Sequence, residues 1–286
     1  MTRSPATRIL RAFHPRTHYH MGTAATRVAL FIDIETTGLD RHTDTIIELS
    51  AIRFHYAPDT AAIYNLEPPL HALEDPGHPL APEIAALTGL TAASLAGHRI
   101  DEAAVDAALR DVSLVIAHNA RFDRPLVERR LPAFQKLPWA CSMADVPWHT
   151  FGFTSLSLEY LLMKHCREYF DEAHRAQSDC YAGIHILATP TTTGERPFAL
   201  LLKAASIPTV RLWAVGASYV HKDRLRTRRY RWYPGDHRRP KAWYRDLRPD
   251  AVDAECDWLH QHVYGGHRGQ IAFDHFDARD RYSARA

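Results

Sequence analysis

The sequence is short of three things: cysteine, long apolar runs and net charge. Only four cysteines, Cys141, Cys166, Cys180 and Cys256, occur in 286 residues, and none forms a Cys-x-x-Cys pair. That excludes a disulfide framework and a zinc ribbon and fits a reducing compartment, so a cytoplasmic location is expected. No run of about 18 apolar residues is present, which argues against a membrane span and a membrane partner. The first residues also lack the apolar core of a secretory leader. Net charge is only +2, from 35 Lys and Arg against 33 Asp and Glu. What is present is an ordinary globular composition, 46% hydrophobic and 24% charged, over a length that suits one large or two small domains.

The small total hides an uneven distribution. Residues 1–32 hold five arginines and no acid, 33–204 hold 14 basic and 23 acidic residues, and 205–286 hold 16 and 10. An acidic middle between basic ends argues for separate jobs. Residues 1–25, with Arg3, Arg8, Arg11 and Arg16 and no sustained period, read as a disordered basic extension, with Met21 as an alternative start. Val28-Ala-Leu-Phe-Ile-Asp-Ile-Glu and Ile46-Ile-Glu-Leu-Ser-Ala-Ile-Arg-Phe predict neighbouring buried strands joined by a turn at 37–40. A proline-rich loop over 68–82 follows, then short helices at 82–87 and within 101–111, a third strand at 113–117 and a helix over 123–130. Further helices are expected at 156–162 and 176–187. That succession predicts an α/β domain with a mixed sheet over residues 26–190. Residues 191–204 read as a linker with a short helix, and 205–286 as a small basic, aromatic-rich α+β module.

Asp33 and Glu35 lie two apart in an otherwise apolar strand, so both point to one face. Two buried carboxylates side by side repel unless a cation neutralises them, and an all-oxygen set selects a hard ion such as Mg²⁺ or Mn²⁺. Taken alone, the pair reads first as a strand end reaching solvent. Asp123 ends His118-Asn-Ala-Arg-Phe-Asp after a buried strand, a place functional side chains favour in α/β sheets and one that also suits a helix N-cap. In His174-Arg-Ala-Gln-Ser-Asp179, ideal helix would rotate the two titratable groups about 140° apart. To share a site, His174 must lie in the loop before the helix and Asp179 in its first turns.

In order, Phe31-Ile-Asp-Ile-Glu-Thr-Thr-Gly-Leu39, Ala117-His-Asn-Ala-Arg-Phe-Asp123 and His174-Arg-Ala-Gln-Ser-Asp-Cys-Tyr181 resemble the three motifs of the DEDDh (DnaQ-like) 3′-to-5′ exonucleases. Trp139-Ala-Cys-Ser-Met143 is similar to the strand that follows their second motif. The resemblance covers about residues 27–190 and implies a ribonuclease H-like mixed sheet flanked by helices. It implies two divalent ions, Mg²⁺ or Mn²⁺, held by Asp33, Glu35, Asp123 and Asp179, with His174 as general base, a role that an imidazole pKa of about 6.5 suits. It also implies that Thr36, Thr37 and Gly38, with His118, Asn119 and Phe122, bind the substrate end. Thr88 stands where many relatives carry histidine. The expected activity is release of 5′-mononucleotides from the 3′ ends of DNA, preferably single-stranded, in repair or turnover. RNA hydrolysis and a proofreading or accessory role docked on a polymerase are the alternatives.

Residues 205–250 hold 12 Lys and Arg against four acids, interleaved with aromatics. Guanidinium groups neutralise phosphates and aromatic faces stack on unpaired bases. Arg224, Arg228, Arg229, Arg231, Trp232, Lys241 and Trp243 are therefore candidate nucleic-acid contacts. The other reading makes the aromatics the module's core and the arginines its solvated face. No convincing version of a clamp-binding Gln-x-x-hydrophobic peptide is present, which favours a free-standing nuclease over a polymerase partner.

Overall fold

The apolar run that opens the acidic middle becomes the central strand of a mixed sheet. The computed structural model describes residues 9–22, 26–170, 175–237, 239–266 and 269–285. The chain divides into two units, Met1–Ala205 with Tyr282–Ala286, and Ser206–Arg281. In the larger, a short strand β1 (Arg11–Ala12) precedes β2 (Arg27–Thr36), β3 (Ile46–Tyr56), β4 (Ile63–Leu66) and β5 (Leu70–Leu73). Helices α1 (Pro82–Thr88), α2 (Ala92–Leu95) and α3 (Glu102–Ala108) lead to β6 (Val112–Ala117), α4 (Ala120–Arg130) and β7 (Trp139–Cys141). Then come α5 (Leu158–Leu161), β8 (Glu168–Tyr169), α6 (Ala176–Ala188) and α7 (Pro197–Ser206). The sheet order is β4-β3-β2-β6-β7, with β5 also paired to β3. β2 runs antiparallel to β3 and parallel to β6, and β6 runs parallel to β7. This is the mixed sheet flanked by helices expected of a ribonuclease H-like fold.

Because β2 is covered on both faces, it reads as a nearly continuous apolar run, and its alternation sorts residues to two cores. Ala29 and Phe31 pack with Ile52, Phe54, Leu161, Cys180 and Ile184 on the α6 side. Leu30, Ile32 and Ile34 pack with Val105, Leu126, Val127 and Phe134 on the α4 side. Asp33 and Glu35 share the parity of Phe31 and so face α6. That helix crosses β2 so closely that a Cβ at Gly183 would overlap the Phe31 ring; the missing side chain permits the approach.

Several stretches depart from the sequence expectation. Residues 9–22, expected within a disordered extension, are ordered: β1 pairs in parallel with β8, Phe13 packs beside Phe170 and His185, and Arg16 bonds Glu168. Isolated aromatic anchors leave no period to read. Residues 1–8 and 23–25 lie outside the described residues. β5 forms inside the expected proline-rich loop, where Pro68 and Pro69 precede a four-residue strand on β3. α7, expected within a linker, belongs to the larger unit: Phe198 and Leu201 are buried in its core, and Phe198 packs edge-on against Phe54 and Tyr56 at 5.5 and 5.0 Å. α4 begins at Ala120, so Asp123 sits inside its first turn and Asn119 takes the N-cap position.

The smaller unit runs β9 (Thr209–Ala214), α8 (Lys222–Thr227), β10 (Arg231–Tyr233), β11 (Ala242–Leu247), α9 (Val252–His262) and β12 (Ile271–Phe276). This βαββαβ chain forms an antiparallel sheet of order β10-β11-β9-β12, a split βαβ arrangement. Leu212, Ala214, Trp243, Leu247 and Ile271 pack with Leu225 of α8 and Leu259 of α9. Strand β12 is a half-exposed edge of this sheet. Two candidate nucleic-acid contacts are committed to the unit's own fold. Trp243 lies in its core, and Arg228 bonds Glu255 at 2.8 Å while lying over the Trp258 ring. Arg224 donates to the His262 carbonyl from an exposed position, and Arg229, Arg231, Trp232 and Lys241 are exposed. No helix among the described residues is long and apolar enough to cross a membrane.

Candidate active site

Four acids converge from three elements. Asp33 and Glu35 stand on β2, and the first turn of α6 supplies Asp179, whose amide bonds the Arg175 carbonyl. One carboxylate oxygen from each of these three lies within 4.8 Å of the other two. Asp123, buried in the first turn of α4 just past the end of β6, adds its charge to Asp33 and Glu35. β2 and β6 are parallel neighbours, so their carboxyl ends open into the same crevice, where α/β sheets place ligands.

Burial is the main force on every one of these acids, and each is pushed toward its neutral form. Asp33 rises well above the carboxylate range, helped by Asp179, Asp123, Glu35 and Glu48. Burial, with Asp179, Glu48 and Asp123, raises Glu35 to about 8 against the opposing Arg175, while Asp123 and Asp179 each rise to about 7. Crowded carboxylates that resist ionising at neutral pH gain by binding positive charge. Their donors are all oxygen, which fits a hard divalent cation.

Residues 30–187 match the RNase_T exonuclease family model. The chain belongs to this exonuclease family. It is an enzyme of the DEDDh, 3′-to-5′ type; exonucleases of this kind use divalent metals, and the Asp33, Glu35 and Asp179 cluster fits one. No curated protein sequence matches the chain. E. coli exonuclease I, solved as a zinc-bound complex with single-stranded DNA, is similar with a TM-score of 0.51 and 16% identity over 82% of this chain and 71% of its own. Exonuclease X, solved with 5′-overhanging duplex DNA, gives 0.40 and 23% identity over 62% of this chain and 90% of its own. The first of these likenesses shows a shared fold.

In this exonuclease the loop after Glu35 is fastened from within. Thr36 Oγ1 donates to the Gly38 carbonyl at 2.6 Å, Thr37 Oγ1 donates to Asp44 at 2.7 Å, and Asp44 also accepts the Asp40 amide. A Cβ at Gly38 would press on the Asp44 carboxylate at 2.6 Å, so a larger residue there would have to displace Asp44 from the contacts that fasten the loop. Of the second-motif residues, Asn119 is exposed and Phe122 packs against the α4-side core. His118 is placed differently. Both of its ring nitrogens are engaged, with Ser142 Oγ at 2.8 Å and the Leu156 carbonyl at 2.7 Å, and burial lowers its pKa to about 4. Its ring therefore braces the end of β6. His174 lies outside the described residues.

Glu48, to which the sequence analysis assigns no role, stands opposite Glu35 across the β2–β3 ladder and is fully buried. It bonds His71 at 2.7 Å, the Arg175 guanidinium at 3.1 Å and the Ala176 amide at 3.3 Å. These contacts tie the start of α6 to the sheet. The available signal was a lone acid inside the apolar run Ile46-Ile-Glu-Leu, since a buried carboxylate requires partners.

Proposed function

We propose that this exonuclease removes 5′-mononucleotides from the 3′ ends of single-stranded DNA, in repair or turnover, using two Mg²⁺ or Mn²⁺ ions. The observation that carries the reading is the convergence of Asp33, Glu35, Asp123 and Asp179, all pushed toward the neutral form by burial, with repulsion from the other site acids adding at Asp33 and Glu35. These four side chains would hold the ions, which when bound supply charge neutralisation to both the attacking and the leaving oxygens of the phosphodiester. Thr36, Thr37 and Gly38, following directly on Glu35, are assigned to the terminal nucleotide, with Asn119 and Phe122 at the start of α4. His174 is assigned as the general base that takes a proton from the attacking water. Glu48 fixes Arg175 and Ala176, the residues directly after His174 in the chain, and so orients the approach to α6.

DNA is favoured over RNA because the fold-sharing E. coli exonuclease I is solved with single-stranded DNA and because the smaller unit carries a basic, aromatic-rich sheet. The deciding experiment is digestion of matched DNA and RNA oligonucleotides, single- and double-stranded, labelled at either end, with Mg²⁺, Mn²⁺ or EDTA. Mononucleotide release from DNA 3′ ends, abolished by EDTA, is expected. Faster hydrolysis of the RNA set would transfer the activity to RNA, and cleavage that proceeds in EDTA would remove the metal mechanism.

A further inference from the structure

We propose that the sheet face of the smaller unit opposite its helices is a stacking platform for single-stranded DNA. The inference rests on the reading of the enzyme as a DNA exonuclease and assigns where the strand is held. Strand alternation sorts the residues. Leu212, Ala214, Trp243 and Ile271 lie on the face that packs against α8 and α9. The other face carries Arg211 and Trp213 from β9, Arg231 and Tyr233 from β10, Tyr244 from β11 and Phe276 from β12. Trp232 is exposed, yet it pairs with Trp243 and so stands on the helix side. The platform thus keeps Arg231 from the candidate contacts and adds Trp213, Tyr233, Tyr244 and Phe276, which are not among them.

Trp213 and Tyr244 are cross-strand neighbours on the two central strands, with ring centroids 5.1 Å apart, and Tyr233 meets Trp213 edge-on at 5.4 Å. Guanidinium groups lie against these rings. Arg211 stands 4.5 Å over Tyr244 and 4.8 Å over Phe276, and Arg239, from the segment between β10 and β11, stands 4.3 Å over Trp213. Asp246 orients Arg211 and Asp274 orients Arg239 through paired hydrogen bonds. Trp213 and Arg211 are themselves buried beneath this layer, 4% and 8% exposed, so the surface a base can reach is made by the half-buried Tyr233, Tyr244, Phe276 and Arg239 and the exposed Arg231.

The half-buried Tyr233 and Tyr244 rings, packed over the buried Trp213, lose little freedom when a base stacks on them, and every base has a π-face, so such a platform is sequence-tolerant. Aromatics on the central strands of a four-stranded antiparallel sheet, together with guanidinium planes, are what splayed-out bases stack on. The pairing of the arginines separates a nucleic-acid strand from an acidic protein as the occupant. A carboxylate-rich partner would have to compete with Asp246 and Asp274, whereas a base stacks on ring and guanidinium planes and leaves both pairs intact. Phosphates then fall to Arg231.

The test uses the full chain in EDTA and fluorescence anisotropy with a labelled oligothymidylate of about 16 nucleotides. The double variant Tyr233→Ala, Tyr244→Ala should bind at least about tenfold more weakly, since stacking contributes about 1 to 3 kcal/mol per base. Arg231→Ala, an exposed substitution that does not threaten the fold, should weaken binding and reduce the salt slope by about 0.7. Phe273→Ala, exposed on the helix side, should leave affinity unchanged. Wild-type affinity in both platform variants, or an equal loss in Phe273→Ala, would overturn the proposal. So would displacement of the strand by polyglutamate as effectively as by unlabelled oligothymidylate. Hydrolysis of a trinucleotide by the wild-type chain with Mg²⁺ reports separately on the exonuclease reading. If it fails, that reading falls whatever the platform binds; if it succeeds while the platform variants bind normally, the platform alone falls.

Discussion

Asp33, Glu35, Asp123 and Asp179 are each pushed toward the protonated form by burial, and at Asp33 and Glu35 the neighbouring acids add to the push. An acid whose folded pKa exceeds its unfolded value binds its proton more strongly in the folded chain, so stability falls as pH rises between the two. The window is 4.5 to about 8 for Glu35 and 3.8 to about 7 for Asp123 and Asp179. The metal-free protein should therefore melt at a lower temperature near pH 8 than near pH 5, and Mg²⁺ should raise Tm more at the higher pH. Calorimetric melts with and without Mg²⁺ check this; an equal metal effect at both pH values would contradict it. Asp179→Asn removes one repelling charge. It should raise the metal-free Tm by about 2 to 4 °C, the scale of ~1 kcal/mol in a chain of this size, while lowering turnover by at least about 100-fold. A variant that loses both stability and activity would mean that Asp179 is held by partners instead of strained by neighbours.

At the scale of elements, the site depends on how closely α6 lies on β2. Asp179 and Gly183 are one turn apart on that helix, and Gly183 meets Phe31, two residues before Asp33 on its strand. Gly183→Val should push the helix outward, lowering Tm and reducing kcat by about 100-fold, because misplacement of about 1 Å carries that penalty. Thermal melts and oligonucleotide kinetics measure both effects. Glu48→Gln keeps an acceptor for the Ala176 amide but loses the charge facing Arg175. The expected result is a fall in kcat of about 10- to 100-fold with little change in KM; a rise in KM alone would make Glu48 part of substrate binding. This level was only partly legible. Gly183 sits in an apolar helix run where nothing in a one-dimensional pattern marks a crossing point, and Glu48 was visible as an acid without visible partners. His71 and Arg175, which hold it, come from segments with no shared motif.

For the whole molecule, composition suggested a boundary in the Thr-Gly-Glu-Arg-Pro stretch, and packing moves it. Phe198 and Leu201 of α7 fill the larger unit's core, and Arg285 at the far end of the chain bonds Glu128 in α4. A chain ending at Thr192 should therefore melt well below one ending at Ser206, since loss of a buried Phe side chain alone costs about 3 to 5 kcal/mol. Equal melting temperatures for the two truncations would restore the compositional boundary.

By itself the sequence determined the family, the α/β class and the four acids, because each depends on local pattern: an apolar strand interrupted by two carboxylates, a strand-to-helix junction and the first turn of a helix. It determined equally that the second unit would mix strands, helices, arginines and aromatics. Only the tertiary structure decided which of those side chains serve the fold. Trp243 and Trp213 look alike in sequence, but strand parity and pairing send one beneath the helices and the other to the opposite face of the sheet. His118 and Glu48 look equally chemical, yet one is fully occupied in bracing a strand and the other pins the helix that bears Asp179. The reason is range: period and capping act over a few residues, whereas burial, ion pairing and mutual repulsion depend on segments that only folding brings together.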